Sequence, residues 1–228
     1  MEDRTRFCLG LLLTAIAGWV DAIGFISLGG FYLSFMSGNT TQLGIGLTHF
    51  DMGLVRLPAL LLACFVVGAF AGTLIYARSA RWHLPAILLF EALLLAGALM
   101  LWFVKSPVLG AAEPLAIAMG AQNAALRSDR GHRIGGTFVT GTVFGIGEKL
   151  ALWCLGREDG RPALRHALGW SALAFGAAMG AAAYAAAGLP ALIAPAGCLL
   201  ILAAVTAFVS LRAPGRGPAL EERRHKSG

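Results

Sequence analysis

GWVDAIGFISLGGFYLSFMSGNTTQLG, residues 18–44, starts as an apolar run carrying a single carboxylate, Asp21. Within a few residues it changes into a polar window of Ser34, Ser37, Asn39, Thr40, Thr41 and Gln42. Before it, the apolar character reaches back to Phe7, behind Arg4 and Arg6. The run from about 7 to 28 therefore has the roughly 20 residues a helix needs to cross hydrocarbon. Arg4 and Arg6 ahead of Phe7 to Gly18 imitate a signal peptide, with a small-residue site at Ala15 and Ala17. The run continues past that site to Leu28, so the segment is kept as a span.

Five more runs of comparable length follow, at about 54–77, 84–105, 108–126, 167–187 and 190–211. Hydrophobic residues are 57% of the 228 and charged residues 13%, and the mean hydropathy is +0.73. No water-soluble domain of this size stays dispersed with that balance, so a lipid bilayer is the expected partner. A β-barrel would alternate apolar and polar residues at every second position, whereas these runs are continuous. The expected fold is all-α, a polytopic membrane helix bundle. The net charge of +6 and pI near 9.6 do not point to nucleic acid, because the basic residues sit in short loops and a tail between apolar runs.

Two segments fit no lipid-facing helix: 31–47, and 137–155 with Thr137, Thr140, Thr142, Glu148 and Lys149. If both cross, Arg78, Arg81, Arg127, Arg130 and Arg133 fall outside and Lys149 falls within the membrane. If both dip in and return, only Arg56 and Lys105 of the 18 basic residues lie outside, which obeys the positive-inside rule far better. Six spans follow, with both termini cytoplasmic. Residues 1–6 form the cytoplasmic N-terminus, 7–211 the membrane domain, and 212–228, rich in Pro, Gly and charge, a disordered cytoplasmic tail.

An internal repeat points the same way. Gly18-Trp19-Val20-Asp21-Ala22 matches Gly120-Ala121-Gln122-Asn123-Ala124, and Phe35-Met36-Ser37-Gly38-Asn39 matches Phe138-Val139-Thr140-Gly141-Thr142. Gly44 answers Gly147. Gly68, Gly72, Tyr76 and Ala77 recur at the same spacing as Gly176, Gly180, Tyr184 and Ala185, and Pro85 opens its helix as Pro190 does. Repeat 1 covers about 7–105 and repeat 2 about 108–211. With three crossings each, the two repeats are inverted relative to one another, as in many transporters, and each holds one re-entrant or broken polar segment. The two dips enter from opposite faces and are expected to meet near the midplane.

The stretches 18–44 and 118–142, AMGAQNAALRSDRGHRIGGTFVTGT, resemble those of the bacterial YoaK-like inner-membrane proteins (domain of unknown function 1275). The resemblance covers nearly the whole chain, with both motifs in order and spacing. It implies an inner-membrane location and no assigned activity. The motif positions correspond to Asp21, Ser37, Gly38, Asn39, Thr40, Gln122, Asn123, Thr140, Gly141 and Thr142, with no roles to carry over.

Those residues are also the candidates that chemistry selects. An ionised Asp21 inside a span costs several kcal/mol unless it faces protein, water or a cation. It is either a proton or cation site, or a counter-charge for an amine, or else a buried acceptor tying helices together. Its repeat partner Asn123 keeps the shape and loses the charge. Ser37-Gly38-Asn39-Thr40 and Thr140-Gly141-Thr142 combine a glycine that lets a helix break with short polar groups. Such groups replace a solute's hydration shell or simply satisfy the break. Glu91, in the third span, is a secondary candidate, as an ionisable site or a packing residue. Glu148 and Lys149 are read as a structural pair near the cytoplasmic surface, although adjacent residues point in different directions on a helix and a direct mutual salt bridge is not assumed.

Gly68-x-x-x-Gly72 and Gly176-x-x-x-Gly180 are read as close-packing sites, within one chain or between the chains of a homodimer. Trp19, Trp82, Trp102, Trp153 and Trp170 are read as interfacial anchors. The loop Arg127–Arg133 is read as setting topology, or as meeting anionic headgroups or an anionic solute from the cytoplasm. Cys8, Cys64, Cys154 and Cys198 show no metal or disulfide spacing. Neither metal nor other cofactor is implied. No metalloprotease, P-loop or serine-hydrolase signature is present, so the chain is not expected to be an enzyme. The expectation is a transporter or channel for a small polar or ionic solute, with or without a coupled proton or cation, and with its site between the repeats. The rival is a non-transporting membrane scaffold or assembly protein.

Overall fold

In a computed structural model the described residues, 3–104, 108–125 and 139–212, form eight α-helices and no strand. They are α1 Asp3–Ser27, α2 Met36–Thr48, α3 Met52–Arg78, α4 His83–Phe103, α5 Val108–Ala125, α6 Val139–Cys154, α7 Arg161–Ala187 and α8 Ile193–Arg212. Short 3-10 helices, Ala80–Trp82 and Leu189–Leu192, precede α4 and α8. Five helices are long and apolar enough to cross a membrane: Arg4–Ser27, Met52–Arg78, His83–Phe103, Arg161–Ala187 and Leu189–Arg212. The sixth expected span is α5, whose 18 residues include Glu113, Pro114, Gln122 and Asn123; it is not in that set. The two segments set aside as too polar are the two shortest helices, α2 with 13 residues and α6 with 16. At 1.5 Å per residue these reach about 20 and 24 Å, less than the roughly 30 Å of the hydrocarbon layer.

Small residues determine how the helices pack. A side chain added at Gly68 would run into the Ile117 carbonyl, at Gly72 into that of Ala121, and at Gly120 into that of Phe65. The other half repeats the arrangement: Gly176 lies on Ala15, Gly180 on Trp19, and Gly18 on Leu173. Contacts that step by one helical turn on both sides mean that α1 runs parallel to α7 and α3 parallel to α5. These are the two most extensive interfaces. Without a hydrophobic driving force between helices in lipid, such backbone approach supplies the contact that holds them together.

α4 packs on α5 and α8, α2 on α3, and α6 on α7, whereas α1 and α8 barely touch. The alanine-rich α5 is buried along nearly its whole length, from Ala111 to Ala125. Large apolar side chains such as Phe70, Phe144 and Phe175 face outward, each about two thirds exposed, as in a lipid-facing surface.

Three contacts fix which helix ends lie together. The Arg165 guanidinium sits 5.0 Å over the Phe7 ring, joining the starts of α1 and α7. Ser210 Oγ donates to the Arg81 carbonyl at 3.2 Å, joining the end of α8 to the turn between α3 and α4. Trp19 Nε1 donates to the Ala191 carbonyl at 3.1 Å, joining α1 to the turn before α8. That bond gives Trp19 an inward tie besides any anchoring role. Pro190 lies in the 3-10 turn, and Pro195 takes the third position of α8 as Pro85 does in α4. The basic loop Arg127–Arg133 and the tail from 213 onward lie outside the described residues.

Candidate functional site

α1 ends where Gly29 and Gly30 adopt φ of 70° and 109°, a backbone that other residues rarely take. The chain then turns back along α1. Asp21 holds it there: one carboxylate oxygen accepts the Leu33 N–H at 2.7 Å and the Ser34 N–H at 2.6 Å, and the other accepts the Ser34 hydroxyl at 2.5 Å. Leu33 packs into the space beside Gly24. Non-helical backbone has no ladder of its own to satisfy its N–H groups, and Asp21 supplies the acceptors. Asn39, fully buried, clamps the same return from the other side. It accepts the Tyr32 N–H at 3.0 Å and donates to the Tyr32 carbonyl at 2.7 Å.

A cavity of about 500 Å³ opens between this return, α1 and α7. Asp21, Ser34, Tyr32 and Phe35 line one side, Leu173, Ala177 and Ala181 of α7 the other, and Val139 at the start of α6 reaches it. Phe25 and Ile26 close the wall from α1. The lining is mostly apolar, with one carboxyl group and the two hydroxyls of Tyr32 and Ser34.

Of the ten candidates read from the sequence, Asp21 is in this cavity wall. Ser37 and Thr40 are exposed on α2, where the Thr40 hydroxyl bonds the Met36 carbonyl and the Ser37 carbonyl accepts from Thr41. Gly38 lies against the Tyr32 ring. Thr140 and Gly141 are exposed and Thr142 half-buried, near Gly169. Asn123 Nδ2 donates to the Met119 carbonyl at 2.9 Å. Gln122 instead meets the secondary candidate, its Nε2 donating to Glu91 Oε2 at 3.3 Å between α5 and α4. Glu91 is fully buried, and its other oxygen has no partner among the described residues.

Lys149 pairs not with its neighbour Glu148 but with Glu158, at 3.1 Å across the turn into α7. The other cavity residues were not candidates, Tyr32, Ser34, Phe35 and Ala177 among them. The first three lie inside the opening stretch and carried a signal, their position beside the glycine break. The α7 wall is apolar and gave none.

A family model described as a protein of unknown function, DUF1275, matches residues 9–205. The UPF0700 transmembrane protein RA0705 of Rhizobium meliloti (strain 1021) is 36% identical over 211 residues, covering 88% of this chain and 88% of its own length. No solved structure matches the chain. Together with the long apolar helices, these likenesses make the chain a multi-pass membrane protein.

Proposed function

The chain belongs to the DUF1275 family of proteins of unknown function, and we propose that it is a transporter or channel for a small polar or ionic solute, built from two inverted halves of three spans each. The observation that carries this reading is the cavity of about 500 Å³ beside Asp21, walled by a helix of each half and reached by the polar segments of both.

Inversion is supported by the way the helix ends meet. α1 and α7 start at one face, where Phe7 meets Arg165. α7 carries the chain to the opposite face, and α8 returns it to end beside Arg81. The α3–α4 turn then belongs to the face where α1 starts, so α3 runs against α1. The chain between α1 and α3 returns to the face it left. By the same logic the chain between α5 and α7 returns to the other face. Six helices cross, α5 among them, and α2 and α6 are dips from opposite sides. The face with Arg4, Arg6, Arg78, Arg81, Arg157 and Arg161 is then the cytoplasmic face of an inner membrane, with both termini on it.

The α1–α7 and α3–α5 glycine joints, each between a helix of one half and a helix of the other, are the contacts that an inverted pair would make twice. No catalytic role is assigned, and a homodimer through the outward apolar faces remains part of the proposal. One observation favours a non-transporting scaffold: Asn39 spends both ends of its amide on holding the return in place.

Flux in proteoliposomes separates the two. The native protein is expected to move at least one solute from a panel of small organic and inorganic ions. Ala177→Trp, which fills the cavity, is expected to stop that flux with the thermal unfolding profile retained. Flux that persists in the plugged variant removes the cavity as the pathway, and a folded native protein that moves none of the panel favours the scaffold.

A further inference from the structure

We propose that the Asp21 cavity binds an organic monocation, a protonated or quaternary amine on an apolar body. This rests on the reading of that cavity as the solute site.

The walls supply two kinds of contact. The rings of Phe25, Tyr32 and Phe35 form a continuous aromatic edge, with Phe25 and Tyr32 centroids 5.0 Å apart and tilted by 40°, and Tyr32 and Phe35 5.2 Å apart and nearly perpendicular. Ring faces attract cations and apolar bodies alike, most strongly where water is excluded. The one carboxyl group in the lining is that of Asp21. Its two N–H donors and one hydroxyl donor fix it in place and are the partners that an ionised carboxylate accepts, and the residue keeps part of its surface open to the cavity. No Lys, Arg or His among the described residues pairs with it or lines the cavity.

Other solute classes fit less well. A dehydrated divalent cation takes six or more oxygens, and the oxygen-bearing side chains here are Asp21, Ser34 and Tyr32. An anion would face the carboxylate with no described cation to offset it. A sugar-like solute would leave most of its hydroxyls against apolar wall. The volume falls within the roughly 300–1,000 Å³ of pockets that hold small organic ligands. An amine with a ring or short alkyl body meets all of these conditions at once.

Three probes of one shape test this by calorimetry on the purified full-length protein in detergent at pH 7: 2-phenylethylamine, 2-phenylethanol and 3-phenylpropionate. The amine is expected to bind at least tenfold more tightly than the alcohol, and the carboxylate not measurably. Asp21→Asn keeps an acceptor for the Leu33 and Ser34 N–H groups, and is expected to lower amine affinity tenfold or more while the alcohol is unchanged. Ala181→Phe, which narrows the cavity without touching the charge, is expected to weaken both.

Equal binding of amine and alcohol by the native protein overturns the proposal, as does amine binding that Ala181→Phe leaves intact. Should Asp21→Asn fail to fold, the native comparison and Ala181→Phe still decide. Amine binding without amine flux in proteoliposomes upholds the cation site and counts against transport. Flux of an uncharged solute with no amine binding does the reverse.

Discussion

Where α1 meets α7, Gly18, Gly176 and Gly180 lie on opposing backbone, and where α5 meets α3, Gly120, Gly68 and Gly72 do the same. One turn further along, α1 carries Asp21 and α5 carries Asn123. Asp21 reaches across to hold the chain after α1 and lines a cavity; Asn123 donates to the Met119 carbonyl of its own helix, and the chain that follows α5 lies outside the described residues. The neighbouring interfaces differ as well, since α4 is packed tightly on α5 through Glu91 and Gln122 whereas α8 scarcely touches α1. Backbone approach through glycine serves both halves equally because it depends on shape alone. A charged group in lipid is costly wherever it stands, so it is retained where partners or a ligand compensate it.

The largest effect is expected at the joints. In Gly68→Leu and Gly176→Leu the new side chain meets a backbone carbonyl that cannot swing aside. Each is expected to exceed the roughly 1–3 kcal/mol of ordinary overpacking, and the two costs should agree, as read from thermal unfolding in detergent. A protein that tolerates one and not the other would show that the joints are not equivalent.

The next effect falls at Asp21. Asp21→Ala orphans two N–H groups and a hydroxyl, at about 1–3 kcal/mol for each group left unsatisfied in a buried place. It is therefore expected to lower the unfolding temperature in detergent and to raise amide exchange at Leu33 and Ser34. Exchange and unfolding that both stay unmoved would mean that Asp21 does not hold the return.

The smallest effect is expected where α4 meets α5. Replacing a buried polar pair by apolar residues is often neutral or stabilising, whereas removing one partner strands the other. The double variant Glu91→Leu with Gln122→Leu is expected to unfold within about 1 kcal/mol of the native protein, and Gln122→Leu alone to unfold earlier. A double variant weaker than the single one would give the pair a role that packing does not explain.

Much of the helix layout was legible because lipid imposes a simple condition, about 20 apolar residues per crossing, and the chain meets it plainly in α1, α3, α4, α7 and α8. α5 was legible by length but is more polar, since it is buried among other helices rather than facing lipid. The glycine matches were legible as a spacing. Their partners were not, because a spacing does not say which backbone lies against it. The candidate site was less legible. Asn39 and Thr40 looked equally available for a solute, yet one is buried in a clamp on Tyr32 and the other is exposed and bonded to its own helix. Which face of a short helix turns inward depends on tertiary contacts. Ala177 and Ala181, which shape the cavity by being small, carry no chemical mark in the sequence.

The orientation of the halves is tested most directly by single cysteines in a chain whose Cys8, Cys64, Cys154 and Cys198 have been replaced. One is placed at Phe50, between α2 and α3, and one at Arg81, between α3 and α4. Two inverted three-span halves predict that an impermeant thiol reagent labels position 50 in intact cells and position 81 only after the membrane is opened. Labelling of position 81 in intact cells, with position 50 protected, would mean that α2 crosses the membrane and that the halves are not inverted.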